Sequence, residues 1–141
     1  MANIVPDSFK EELFEAIHDF TASTGDAFKL SLYSTVTGFS AASTTAYTTT
    51  NEVSGTGYTA TGAALVNISP VVAQNIAFVD FNDVTFSTAT ITASAALIYN
   101  STSSNKSVVV LDFGGDKTST NGDFTIQFPA ANSTSAIIRI S

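Results

Sequence analysis

Over the first twenty residues the apolar positions recur three and four apart, and from residue 27 onward they recur at every second position. In PDSFKEELFEAIHDF, residues 6–20, Phe9, Leu13, Ala16, Ile17 and Phe20 fall on one face of a helix. Ser8 and Glu11 have the spacing of a capping box, and Glu11, Glu12 and Glu15 stand near the start, where the helix dipole favours negative charge. The spacing predicts one short amphipathic helix. In DFTIQF, residues 123–128, Phe124, Ile126 and Phe128 take one face of a strand while Asp123, Thr125 and Gln127 take the other. The same alternation of β-branched and aromatic residues marks 27–34, 76–81, 84–86, 90–99, 107–113 and 136–140, with Gly, Asn, Ser and Thr between them. The Thr-rich stretch 39–52 reads as a long loop or an edge strand, and 57–68 as an irregular strand with glycines at bends or bulges.

Short strands with no helical crossovers predict an all-β fold, a single antiparallel β-sandwich of jelly-roll or Ig-like type with about eight strands behind the N-terminal helix. Residues 1–26 form the arm and helix, and residues 27–141 the sandwich domain. A chain of 141 residues suits one domain, which at this size hides roughly 68–70% of its unfolded surface.

Composition adds that the surface is uncharged rather than apolar. Charged residues make up 12% of the chain, against ~25% in an average soluble domain, so Ser, Thr and Asn must cover the outside. Weak repulsion between copies makes self-association or docking on a larger assembly the expectation. The net charge of −7, from 12 acidic and 5 basic residues without basic clusters, argues against nucleic acid as a partner. Cysteine is absent, which excludes disulfides and thiolate metal sites. No apolar run reaches the ~20 residues of a membrane helix, and the N-terminus lacks the basic and apolar regions of a secretory leader, so no membrane partner and synthesis in the cytoplasm are expected.

Candidate chemistry is sparse. His18 is the only histidine, and beside Asp19 its ordinary role is polar, at the end of the helix. Asp112-Phe113-Gly114 matches a kinase metal-binding tripeptide without any accompanying nucleotide loop, and reads as a strand end followed by a turn at 114–117. Asp80, Asn82 and Asp83, or Asp112, Asp116 and Asp123, offer oxygen atoms without the spacing of a calcium loop. Asn67, Asn100, Asn105 and Asn132 carry the Asn-x-Ser/Thr form, as composition alone would produce. In NEVSGTGYTATG, residues 51–62, Gly55 and Gly57 lack the third glycine, the helix and the Lys-Ser/Thr pair of a phosphate loop. That stretch reads as architecture. No catalytic residue, cofactor or metal is predicted, and the chain is expected not to be an enzyme.

One resemblance spans nearly the whole chain. The series Phe9-Lys10, His18-Asp19-Phe20, Phe28-Lys29-Leu30, the run from Asn51 to Ala60 (NEVSGTGYTA), Ala96 to Asn100 (ALIYN), Val110 to Phe113, Phe124 to Pro129 and Ala136 to Ile140 resembles small virion proteins of tailed bacteriophages. It departs from them at Thr61, where glycine is expected, and in the acidic stretch from Glu11 to Glu15. The resemblance implies a capsid decoration, or cement, protein on the outer surface of the particle, with the major capsid protein and copies of itself as partners. Its alternative is a tail, baseplate or fibre component that takes part in host attachment, where glycan contact would enter. Phe9, Leu13, Phe14 and Ile17 supply apolar surface for partner contact, or else close one end of the sandwich.

Overall fold

The computed structural model describes residues 3–141. One helix, α1 (Asp7–Phe14), precedes seven strands: β1 (Phe28–Tyr33), β2 (Ala63–Ala64), β3 (Asn67–Ala73), β4 (Ile76–Phe81), β5 (Val84–Asn100), β6 (Lys106–Ile126) and β7 (Ile138–Ile140). They form two antiparallel sheets, ordered β2-β1-β5-β6 and β3-β4-β7. The chain is thus mostly β with one short N-terminal helix.

Seven strands stand where about eight were expected, because two pairs of short runs are each continuous. Residues 84–86 and 90–99 both lie in β5, and 107–113 and most of 123–128 lie in β6. Bulges carry the ladder across the polar stretches between them. Ala93 pairs with Lys117 and Ala95 with Asp112, so the single residue Ser94 lies opposite the loop Phe113 to Asp116. Gly114 and Gly115, at φ +75 and +152, supply the backbone that this loop demands. Asp112-Phe113-Gly114 therefore does not end a strand; it begins a bulge within one.

β3 was not expected as a strand because Pro70 interrupts it. The proline sits where the register with β4 shifts between Ile68 and Val71, on an edge strand, which is where a sheet tolerates a missing N–H. Gln74 and Asn75, at φ +53 and +63, close the β3–β4 hairpin as the two left-handed residues of a tight turn.

The main core joins residues of both sheets, among them Phe28, Leu30 and Leu32 of β1, Ala96 and Ile98 of β5, Val109 and Leu111 of β6, and Phe81 of β4. Phe9 and Phe20 belong to the same core, and Phe20 stacks on Phe28 with ring centroids 4.5 Å apart. A second cluster, Tyr33, Ala95, Leu97, Tyr99 and Val110, lies apart from the first, with Ile4, Val36, Phe39 and Tyr47 packed on it. Successive residues of β5 alternate between the two clusters, so the centre of the β2-β1-β5-β6 sheet is buried on both faces. Residues 34–62 supply much of that second cover. They touch the sheet through isolated bridges, Tyr33 to Glu52 and Ala46 to Lys106, and form an irregular layer rather than an edge strand.

Candidate functional site

The helix is half the expected length. Ala16 at φ +58 takes the left-handed conformation, its N–H reaches the Leu13 carbonyl at 3.3 Å, and the Ile17 N–H reaches that of Glu12 at 3.1 Å. These are the paired bonds of a Schellman stop, with alanine where glycine is usual. Ala16, Ile17 and Phe20 therefore do not continue the helical face. The capping box does not form either: Pro6 is the N-cap, Ser8 donates to the Thr44 carbonyl, and the Asp7 N–H donates to Ala41.

The four expected contact residues separate. Phe9 is buried in the core, and Ile17 is half-buried with its carbonyl accepting from the Ser103 hydroxyl. Leu13 packs against the core from its margin, whereas Phe14 is 95% exposed. Beside Phe14 an open groove of about 870 Å³ runs between α1 and β7, lined by Val5, Leu13, Ile76, Ile138 and Ile140 with Lys10 and Arg139. Its floor continues a row of apolar side chains, since Ala77 pairs with both Val72 and Ile140. Val72 and Ile140 remain 70% and 54% exposed. The inner face of the β3-β4-β7 sheet thus extends past the core into solvent, with the end of α1 standing over it.

A buried polar network sets the position of that helix. Glu12, on the inner side of α1, accepts from Lys106 Nζ at 3.1 Å through Oε1, and its Oε2 lies 2.7 Å from His18 Nε2. His18 was expected on the helix; it lies beyond the helix end, its side chain wholly buried and packed beside Phe9, Phe20 and Phe28. Its tautomer follows from Asn100. Asn100 Oδ1 accepts from the N–H groups of Thr102 and Ser103, which turns the amide nitrogen toward His18 Nδ1 at 3.0 Å and Asp26 Oδ2 at 2.7 Å. Nδ1 is then the acceptor and Nε2–H the donor to Glu12. Both ring nitrogens of this histidine are committed to holding α1 and the end of β5 together.

A second network explains the 51–62 stretch. Glu52 Oε1 accepts from the Tyr58 hydroxyl at 2.7 Å and the Thr61 N–H at 2.8 Å, and Oε2 accepts from the Tyr47 hydroxyl at 2.6 Å. Tyr58 also accepts the Leu32 N–H of β1, Tyr99 donates to the Thr61 carbonyl, and Tyr33 donates to that of Thr48. Tyr33, Tyr58 and Tyr99 hold this layer to the sheet through these bonds, and Tyr47, the fourth tyrosine, packs on Tyr99 with ring centroids 4.9 Å apart. Burial, joined by the Glu52 charge, raises the Tyr47 and Tyr58 hydroxyls far above the ordinary phenol range, and burial raises Tyr33 to about 12. Gly62, at φ +82, lies so close to the Leu30 carbonyl that a Cβ there would stand 1.8 Å from its oxygen. The glycines permit close approach of two backbone layers. The sequence carried a signal for this: Glu52 is the only acidic residue between Asp26 and Asp80.

The remaining candidates are scattered. Asp83 Oδ1 accepts the Phe128 N–H, and Asp112 Oδ1 accepts the Gly114 N–H. Asp80 is 1% exposed; its Oδ1 accepts the Phe81 N–H while Oδ2 has no partner, and burial raises its carboxyl above the usual range. Among the described residues no three His, Asp or Glu side chains converge as a metal-holding set. No helix of these residues is long and apolar enough to cross a membrane. Comparison with known proteins returns no matching family model, no matching curated protein and no matching solved structure.

Proposed function

We propose that this chain is a non-enzymatic virion protein of a tailed bacteriophage, decorating the outside of the capsid and bridging neighbouring capsid subunits. The observation that carries the docking reading is Phe14, 95% exposed at the rim of an apolar groove in a chain whose other phenylalanines are packed. Burying a Phe side chain contributes about 1.5–3 kcal/mol, a contribution the monomer forgoes. An exposed apolar patch rimmed by polar residues marks a surface for another protein. The phage assignment rests on the sequence resemblance, carried mainly by the NEVSGTGYTA and ALIYN segments. Both have architectural roles, the first as the tyrosine-held layer and the second as the strand beneath it.

Two sheets sharing one core support a sandwich, and a jelly-roll or Ig-like form of it is part of the proposal. The net charge of −7 suits the outer surface better than a DNA-facing one. Decoration acts by mass action: at a hundredfold excess over the dissociation constant, each occupied site adds about 2.7 kcal/mol to the assembled shell. Purified particles test this. Capsid decoration requires copies on the order of hundreds, as a symmetric shell repeats one contact many times. A tail-scale copy number places the protein in the tail instead, and absence from particles refutes both.

A further inference from the structure

We infer that a hollow within the 34–62 layer is a binding site for a neutral sugar ring. This goes beyond the decoration reading, and the hollow shares no lining residue with the groove beside Phe14. It measures about 390 Å³, within the ~300–1,000 Å³ usual for small-ligand sites. Its lining falls between Thr37 and Asn51, includes the rings of Phe39 and Tyr47, and carries no charged side chain. A phosphate, a carboxylate or a metal ion would leave water there without gaining a counter-charge. A pyranose ring matches the lining, since it has apolar C–H faces bordered by uncharged hydroxyl groups that both donate and accept.

The polar groups are placed in advance. Thr44 Oγ1 accepts the Ser40 N–H at 2.9 Å and Thr48 Oγ1 accepts the Thr50 N–H at 3.2 Å, so backbone holds each hydroxyl while its own proton stays free to donate. The side chains of Thr37, Thr45, Thr50 and Asn51 form no hydrogen bond among the described residues. Asn51 is fixed through its carbonyl, which accepts the Ser34 N–H at 2.9 Å and the Ser34 hydroxyl at 3.3 Å, and its amide remains both donor and acceptor. The two rings are each held on one side by a buried tyrosine. Phe39 stands edge-on to Tyr33 with ring centroids 4.9 Å apart, and Tyr47 packs on Tyr99 at the same separation. Groups already ordered in this way cost a small ligand little on binding. An irregular layer pinned to a rigid sheet is also where binding groups are most often carried.

Amide NMR titration of the full chain with the methyl glycosides of glucose, mannose, galactose and N-acetylglucosamine tests the site. At ordinary ligand efficiency one sugar ring binds with a Kd on the order of 1 mM, so saturable shifts within residues 37–51 are expected below about 50 mM for at least one of the four. Asn51→Gly keeps the left-handed backbone that Asn51 adopts at φ +63 and should weaken binding about fivefold or more with an unchanged circular dichroism spectrum. Phe39→Leu keeps an apolar side chain but removes the ring, and should weaken binding about threefold or more. No saturable shift with any of the four glycosides overturns the inference, as does binding that neither change weakens. Glucuronate or glucose 6-phosphate bound as tightly as the neutral sugars would overturn the match to an uncharged lining.

Discussion

Glu52→Gln removes one charge from the cluster that holds residues 34–62 against the β2-β1-β5-β6 sheet, with almost no change of shape. The carboxylate accepts three bonds of 2.6, 2.7 and 2.8 Å, short enough to be charge-assisted. A bond to a charged group contributes about 1.5–3 kcal/mol and a neutral one about 0.5–1.5, so each loses about 1 kcal/mol when the charge goes. The glutamine oxygen can still accept from Tyr58 and Thr61, and the Tyr47 hydroxyl can turn to accept from the new amide. Glu52 is half-buried, and discounting the sum for solvent leaves a loss of about 2 kcal/mol. For a domain of this length the melting temperature should fall by roughly 6–10 °C. Urea unfolding read by tyrosine fluorescence measures it at the site, since the chain has four tyrosines and no tryptophan. Tyr58→Phe should couple to Glu52→Gln by about 1 kcal/mol in a double-mutant cycle. Additive effects, or a Glu52→Gln protein within about 0.5 kcal/mol of wild type, would refute the idea that this carboxylate ties the layer down.

Two pH dependences follow with definite sign. The tyrosine hydroxyls are held above their unfolded range, with Tyr33 at about 12, so between pH ~10 and that value the folded chain keeps protons that the unfolded chain has lost. The tyrosine contribution should therefore be level below pH ~9, and stability should fall as pH rises beyond it, less steeply in Tyr47→Phe, as chemical denaturation across that range would reveal. Asp80 is likewise raised, by burial first, so its folded form holds a proton above the ordinary carboxylate range, and stability should decline as pH rises from about 4 through its folded value. Asp80→Asn should match wild type near pH 4 and exceed it by about 1 kcal/mol at pH 7, because no ionised oxygen is then left unpaired; equal stabilities at pH 7 count against the unpaired oxygen as a cost.

Period-two alternation located most of the strands because a strand with one buried face must alternate, as residues 124–128 do. It understated their length where bulges changed the face, at Phe113 to Asp116 and near Thr120. Both faces of β5 are buried at its C-terminal end, and there the sequence shows a continuous apolar run with no sign of which face is covered by what. The cover is the Thr-rich 34–62 layer, whose order comes from contacts distant in sequence, such as Tyr99 with Thr61. Local pattern cannot display those. The helix was overextended because Ala16 adopts the left-handed stop that glycine would have announced. Phe9 and Phe14 look alike in the sequence, yet one is core and the other solvent, because five positions turn a helix through about 140° beyond a full turn and set the two side chains on different faces of α1.

The treatment of sheet edges points to the same surface as Phe14. An uncovered edge invites strand addition unless it is short, bulged, charged or capped. β2 is two residues long. β6 is capped where Ile4 bridges Val110 and Asn3 accepts the Asp112 N–H; farther along it carries the Phe113 to Asp116 loop, Lys117 and Asp123. β3 has Pro70 at a register shift. β7 has no proline and no bulge, and its defences are its length of three residues and the single charge of Arg139. The side of the molecule least guarded against association is therefore the side where apolar side chains stay exposed. A protein whose surface were arranged only for solubility would have placed its charges there; this one carries Arg139 beside Phe78, on the opposite face of β7 from Ile138 and Ile140. That arrangement repels a strand paired edge to edge about Arg139 while leaving the apolar face uncharged, so the exposure is specific to one face rather than to the whole edge.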